Sequence, residues 1–468
     1  MLFSSLVFLW LFLPVVFLVS RVLPLRGQNA LLLAASLLFY AWGGPGYLPL
    51  MLVSITINWA GGLLLAPLNG RPRSGVLSVV ILADLALLGY FKYYTFAADT
   101  LNSLLHWPLL PAKEIALPIG ISFYTFQAMS YVIDLYRRKC DVQKSWFRLA
   151  LYISFFPQLI AGPIVQYGQI SAQLTDRHAT AQDVAYGIKR FCWGLGKKVI
   201  LANAFAAKGD EIFGLAPASV STPLAWLGAL FYTLQIYYDF SGYSDMAIGL
   251  GEMFGFHFAE NFNYPYLSAS VTEFWRRWHM SLSGWFRDYL YIPLGGNRRG
   301  KVRTLVNLFI VFLVTGLWHG ANWQFVAWGV IYGILLIIER VGFRAFLEKL
   351  PRAVGHIYTL FCVVLAWVLF RAPGLKAGLQ WLRAMLLPTV GSAAYPVARY
   401  LDGRILLLLA VGLLLCGPAQ TLLPRLKTAL YSREVPGKAQ SAALLAVLFL
   451  CTMLLVSSTY NPFIYFRF

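Results

Sequence analysis

Charge is scarce in this chain. Only 12% of its 468 residues are Asp, Glu, Lys or Arg, about half the ~25% usual for a soluble domain. The remainder is 59% hydrophobic, with a mean hydropathy of +0.66. Apolar runs recur from end to end, which excludes a soluble domain carried on one anchor. Acid is scarcest: 19 acidic residues against 38 basic ones leave a net charge of +19. That balance does not point to nucleic acid, which requires a contiguous basic face. The basic residues instead form short clusters between apolar runs, such as Arg137-Arg138-Lys139 with Lys144 and Arg148, and Arg298-Arg299 with Lys301 and Arg303. Clusters at the ends of membrane spans are what the positive-inside bias produces.

Other absences narrow the chemistry. The five cysteines show no CxxC spacing, and four of them lie in apolar runs as small hydrophobes. Gly194-Leu195-Gly196-Lys197-Lys198 lacks the spacing and hydroxyl of a phosphate-binding loop. Gly249-Leu250-Gly251 leads into no dinucleotide-binding pattern, and no GxSxG elbow occurs. There is no internal repeat, no low-complexity linker and no basic region before the first apolar run, so Leu2 to Ser20 reads as a span and not as a cleaved signal.

What is present is an all-α polytopic membrane protein, expected to form a single integral domain over 1–468. At about 20 apolar residues per crossing, about eleven transmembrane helices are expected. The first candidates lie at roughly 2–20, 29–43, 46–66, 76–97, 115–136 and 147–168. Later ones lie at roughly 185–206, 223–255, 304–341 (two spans meeting at a histidine), 355–371, 403–422 and 441–459. Some central segments of these thirteen read as re-entrant, which leaves about eleven crossings. Pro118-Ile119-Gly120, Phe156-Pro157-Gln158 and Ala161-Gly162-Pro163 interrupt apolar runs. Backbone broken at membrane depth survives only where protein or a water-filled cavity satisfies it. Gln235, Asp239, Ser241, Tyr243, Ser244 and Asp245 place more polar groups inside another run. Together they suggest a hydrated, protein-lined cavity in the middle third. Alternate loops are basic, which places those loops in the cytoplasm and Met1 outside.

The densest aromatic and charged stretch runs from Asn263 to Gly296, beginning NYPYL and continuing EFWRRWHMSLSGWFRDYLYIPLGG. Lipid penalises such residues, so an island of this kind between spans requires a functional account. Thr272 to Tyr289 has helical periodicity, with Phe274, Trp275, Trp278, Leu282, Trp285, Phe286 and Tyr289 forming one aromatic face. Arg277, Ser281, Gly284 and Asp288 form another, which predicts one amphipathic helix at an interface with His279 on its flank. The next run ends in Leu317-Trp318-His319-Gly320, where Gly316 and Gly320 leave room beside His319 for another chain or a ligand. Across proteins at large a histidine closing a membrane run is more often a satisfied interfacial residue than a catalytic one. Here two of only six histidines directly follow a Trp. A neutral imidazole in a dry site pairs a base with a donor, as deprotonation of a hydroxyl requires. Two histidines without a third ligand make a poor zinc site, so no metal is expected.

The runs FPQLIAGPIVQ, LQIYYDFSGYSDMAIGL, ENFNYPYL, EFWRRWHMSLSGWFRDYLYIPLGGNR and GLWHGANW resemble the bacterial branch of the membrane-bound O-acyltransferases. That branch includes proteins serving O-acetylation of exported polysaccharides such as alginate and, more distantly, D-alanylation of teichoic acids. The resemblance covers about Leu117 to Trp328 and extends to the terminal Asn461-Pro462-Phe463-Ile464-Tyr465-Phe466. It implies a ring of helices, with interfacial and re-entrant elements, around a central tunnel. It further implies His319 as the catalytic histidine and His279 as the second histidine of the bacterial branch, positioning a substrate or stabilising charge on a carbonyl oxygen. Trp318, Trp278, Asn263, Tyr264, Gln235, Asp239, Ser241 and Tyr291 would line the substrate path, with Arg276, Arg277 and Asp288 as supports.

The expected activity is transfer of an acetyl group, from acetyl-CoA on the cytoplasmic side of a bacterial inner membrane, toward an exported polysaccharide or a periplasmic acetyltransferase. D-alanyl transfer from a carrier protein docking near Arg298 to Arg303 is the alternative within the family; that cluster reads more simply as a cytoplasmic flank. A polymer or solute channel without chemistry, or a scaffold for a secretion complex, is the rival from another class.

Overall fold

The computed structural model describes residues 1–111 and 113–463; Ile464, Tyr465 and Phe466 of the terminal motif lie outside them. Among the described residues every regular element is helical. The chain packs as two compact units, residues 1–191 with 246–259 and residues 192–245 with 260–468. Among the described residues six helices are long and apolar enough to cross a membrane: Pro45–Leu65, Gly70–Leu105, Lys301–His319, Trp323–Leu347, Arg352–Arg371 and Lys438–Ser457. Phe8–Val22 and Gly403–Leu415 are shorter apolar helices. The chain is a multi-pass membrane protein.

The first unit contains α1 (Leu13–Val22), α2 (Leu25–Ala41), α3 (Leu48–Leu65), α4 (Gly70–Leu88, running on in helical form to Leu105), α5 (Ile121–Tyr136) and α6 (Trp146–Ser154). α5 is buried on all sides from Ile121 to Leu135, which marks a helix enclosed by protein and not by lipid. The apolar run over 147–168 is not one span. α6 stops at Ser154, Phe155 turns extended, and single turns follow at Phe156–Leu159 and Tyr167–Ile170. Protein side chains satisfy the freed backbone. Phe156 N–H donates to Ser36 Oγ at 3.1 Å, Gln158 Nε2 donates to the Tyr152 carbonyl at 2.5 Å, and the Tyr152 hydroxyl donates to the Val165 carbonyl at 2.7 Å. Such internal satisfaction is what allows irregular backbone at this depth.

Two helices carry the chain between the units, α7 (Ala181–Gly196) and α8 (Thr222–Met253). In the second unit follow α9 (Val271–Arg277), α10 (Met280–Phe286), α11 (Lys301–His319), α12 (Trp323–Ile338), α13 (Arg352–Arg371), α14 (Gly403–Leu415) and α15 (Lys438–Ser457). α11 and α12 cross at backbone contact. A Cβ on Gly316 would stand 2.3 Å from the Phe325 carbonyl oxygen, and one on Gly329 would stand 2.5 Å from that of Phe312. Small residues permit this approach where helices associate through van der Waals packing in lipid. A Cβ on Gly320 would fall 2.2 Å from the Phe325 ring. The room expected beside His319 for another chain or a ligand is therefore taken by α12 of this same chain, whose Phe325 packs against both glycines.

Candidate active site

The stretch from Thr272 to Tyr289 is not the single amphipathic helix its periodicity predicts. α9 ends at Arg277, Trp278 is extended (φ −103°, ψ 129°), His279 is left-handed (φ 45°, ψ 54°), and α10 begins at Met280. A non-glycine residue with positive φ is uncommon and persists where its surroundings over-determine it. The segment from Asn261 to Asn263 supplies those surroundings. Asn263 N–H donates to the Arg277 carbonyl at 2.9 Å, and Met280 N–H donates to the Asn261 carbonyl at 3.0 Å. The start of α9 is held as firmly. Ser270 Oγ accepts from Glu273 N–H, and the buried Glu339 carboxylate accepts from the Val271 and Thr272 amides at 2.6 and 2.8 Å. An anion at a helix N-terminus meets unpaired amides and the positive end of the helix dipole.

The break delivers His279 to a fully buried position. Its ring stands edge-on to Phe240, with centroids 4.6 Å apart at 89°. Asn261 Oδ1 lies 3.2 Å from His279 Nδ1 and accepts from the Ser281 backbone N–H at 3.2 Å and from Ser281 Oγ at 2.9 Å. A backbone N–H only donates, so the Asn261 atom facing it is the oxygen, and an amide oxygen only accepts. His279 Nδ1 therefore carries the proton. Asn261 Nδ2 donates to Ser244 Oγ at 3.0 Å, which holds the carboxamide from its other end. His279 Nε2 is buried without a hydrogen-bond partner among the described residues. Burial first, and His319 second, hold the imidazole well below its ordinary 6.5, so it is neutral and Nε2 presents a lone pair.

His319 closes α11 and is buried. Its ring meets Trp328 at 5.2 Å and Phe370 at 5.1 Å, both edge-on. Trp318 touches both imidazoles, 6.2 Å from His279 and 5.0 Å from His319. Trp278 packs inside a wall of aromatic rings, stacked on Phe274 at 5.5 Å and against Trp367 at 4.9 Å. On α8, Gln235, Asp239 and Ser241 are buried. Asp239 lies 2.7 Å from Lys198 Nζ, and Asp245 lies 2.5 Å from Lys197 Nζ.

The remaining predicted residues sit elsewhere. Asn263 is exposed and engages Arg277 through its backbone; Tyr264 is half-buried at a left-handed turn. Arg277 pairs with Glu273 at 2.7 Å, Arg276 is exposed, Asp288 pairs with its neighbour Arg287, and the Tyr291 hydroxyl bonds Asn297. Sequence reasoning missed Asn261 and Glu339, and named Ser244 only among the polar groups of its run. Asn261 stands two residues before the Asn263 that was singled out, in the same NFN run, with nothing local to rank one above the other.

Residues 141–380 match the MBOAT, membrane-bound O-acyltransferase family. The chain is 46% identical to a "probable alginate O-acetylase" of Pseudomonas aeruginosa, covering 82% of this chain and 75% of that protein. It is 37% identical to a peptidoglycan O-acetyltransferase of Helicobacter pylori, over 82% and 80% of the two chains. A teichoic acid D-alanyltransferase of Bacillus subtilis is 27% identical, over 58% and 78%.

Proposed function

Since the chain belongs to the membrane-bound O-acyltransferase family and is an O-acyltransferase, we propose that it moves acetyl groups from acetyl-CoA, on the cytoplasmic face of a bacterial inner membrane, for O-acetylation of an exported polysaccharide such as alginate. The polymer would receive the group directly or through a periplasmic acetyltransferase. Met1 would lie on the periplasmic side, with the alternate basic loops in the cytoplasm. Support for the acetyl group comes from relatives named for O-acetylation over most of their length.

The chemistry follows from the histidines. The accepting hydroxyl attacks the thioester carbonyl carbon; a C–O bond forms and the C–S bond breaks. His319 takes the hydroxyl proton as general base and returns it to the departing sulfur. General base catalysis by a positioned imidazole contributes about 10²–10⁴-fold. Of the two roles expected for His279, positioning fits better. Its Nδ1–H is committed to Asn261, so the free Nε2 accepts a hydrogen bond and orients a hydroxyl. Stabilising an oxyanion would demand a second proton that burial opposes. Trp318 and Trp278 would line the approach, with α8 polar groups behind them. The observation that carries this reading is Trp318 in contact with both buried imidazoles.

The test is chemical analysis of the exported polymer from cells with the gene, without it, and with His319→Ala. Acetyl ester should disappear in the last two while the variant protein stays in the membrane. Near-normal acetylation in the variant rejects the catalytic assignment. Loss of a D-alanyl ester instead rejects the donor.

A further inference from the structure

In the second unit a cavity of about 280 Å³ opens where α14 begins and α15 ends, beside the helix Asn203–Phe213 and the turn before it. Each of its three walls grades from apolar to polar. Along the first, Val199 is followed by Asn203 and then Lys208, about two and a half turns on. Along α15, Leu454 and Leu455 are followed by Ser457, Ser458 and Tyr460. These two walls run the same way: a Cβ on Gly196 would stand 3.1 Å from Val447, and the Tyr460 hydroxyl donates to Asp210 at 2.6 Å. α14 runs the other way, from its cap Asp402 through Arg404 to Leu408. Tyr400, ahead of the cap, is within electrostatic reach of Glu211, whereas a Cβ on Gly412 would stand 2.9 Å from the Phe205 ring. Valine and leucines therefore form the floor, and charged and hydroxyl groups form the rim.

α15 is the least buried of the six spans, and Leu407, Leu450, Met453 and Val456 are exposed on the two helices, so the cavity borders lipid. The far ends of α14 and α15 lead into Arg425, Lys427, Arg433 and Lys438, which by the positive-inside bias sets the rim in the opposite leaflet. Three rim charges are at hand. Arg404 is exposed and makes no ion pair among the described residues. Lys208 reaches Glu211 only at 3.6 Å, beyond hydrogen-bond length. Asp402 Oδ1 accepts from Ile405 N–H at 2.8 Å, and Oδ2 accepts nothing among the described residues. Asp210, beneath Tyr460, is engaged by Arg371 at 2.5 Å.

A carboxylate beside two cations, above an apolar floor, complements a molecule that carries an ammonium, a phosphate and alkyl chains. Arginine and lysine are the side chains that hold phosphate oxygens. The leucine floor offers alkyl contact and no hydrogen bond, so a sugar ring would leave hydroxyls unpaired there. We propose that this cavity holds a phosphatidylethanolamine molecule of the bilayer. Its phosphate lies against Arg404 and Lys208, its ammonium against Asp402, and the start of an acyl chain against Leu408, Leu454 and Leu455. The volume, several times the ~30 Å³ of a liquid water, admits the headgroup. The assignment is independent of which histidine performs the transfer and of the acyl group transferred.

The test uses purified full-length protein, delipidated and in detergent. Native mass spectrometry reads binding of phosphatidylethanolamine, of phosphatidylglycerol, and of a galactosyl diacylglycerol lacking phosphate. Phosphatidylethanolamine should bind saturably and more tightly than the other two. Arg404→Gln, at an exposed position, should weaken binding of both phospholipids roughly ten- to hundredfold, the loss of a hydrogen bond to a charged group. Asp402→Asn keeps a good helix cap and should weaken phosphatidylethanolamine alone, bringing it level with phosphatidylglycerol. Both variants should keep the wild-type thermal midpoint in lipid-free detergent, which separates lost binding from lost fold. No saturable binding of phosphatidylethanolamine, or binding unchanged by Arg404→Gln, overturns the proposal. Calorimetry with a uronic-acid oligosaccharide is the counter-test: binding that Arg404→Gln removes, in protein that takes up no phospholipid, assigns the cavity to a polymer instead.

Discussion

Asn261 Oδ1 accepts a proton shared from His279 Nδ1 across 3.2 Å while Ser244 Oγ takes the other end of the same carboxamide at 3.0 Å. Eighteen residues apart in the chain, the asparagine and the histidine act as one unit: the amide sets the tautomer and the ring presents Nε2. A hydrogen bond to one ring nitrogen is how an imidazole's tautomer and orientation are set.

Replacing that amide should change the pH dependence of catalysis. In Asn261→Asp a carboxylate faces Nδ1 and favours the imidazolium. The acid limb of the pH–rate profile should then move to higher pH, because Nε2 is lost as an acceptor once protonated. Asn261→Ala should lower kcat by about 10²-fold, the cost of misplacing an orienting group by about 1 Å, with less effect on KM. Rates in membrane vesicles across the pH range check both. A profile for Asn261→Asp that superimposes on the wild type would show that Asn261 does not govern the ring.

Stability should carry the same signature. The folded protein holds His279 below its ordinary 6.5, so as pH falls below that value the unfolded chain takes the proton first. The contribution of neutral His279 is thus present above pH 6.5 and lost as pH falls toward the folded value. His279→Gln should flatten the acid-side decline of the thermal midpoint in detergent. An unchanged decline would assign it to other groups.

The crossing of α11 and α12 should be intolerant of one methyl. Gly316→Ala places a carbon 2.3 Å from the Phe325 carbonyl oxygen, a backbone atom that cannot swing away. Overpacking of this kind costs roughly 1–3 kcal/mol, and the displaced turn carries His319. Lower thermal midpoint and lower acetylation together are expected; full activity with native stability would show that the helices separate freely.

Lys198 and Asp239 form an ion pair whose side chains are 3% and 1% exposed, with Lys198 also bonded to the Pro462 carbonyl. Removing one partner leaves an uncompensated buried charge, costing about 3–5 kcal/mol, whereas apolar replacement of both is far milder. Asp239→Leu and Lys198→Met should each destabilise strongly, and the double variant should recover most of the loss. Additive losses in the thermal midpoint would disprove the coupling.

Much of this protein is legible along the chain. Low charge and recurrent apolar runs decide that it is an all-helical membrane protein, because burying backbone in lipid leaves helices and closed barrels as the only solutions. The motifs around Trp278-His279 and Trp318-His319 decide the family. Breaks at Pro157 and Gly162 are visible because those residues change local backbone preference, and the structure breaks there.

Tertiary structure alone decides how the histidines are presented. The aromatic spacing from Phe274 to Tyr289 continues through Trp278 and His279 as if the helix were whole, since periodicity reports which face is buried and not where hydrogen bonds are exchanged. The break exists because amides and carbonyls of 261–263 replace those the helix gives up, partners brought in by folding. The same holds for Glu339 at the head of α9. Residue identity sets what a group can donate or accept; which groups meet is settled by contacts distant in the chain.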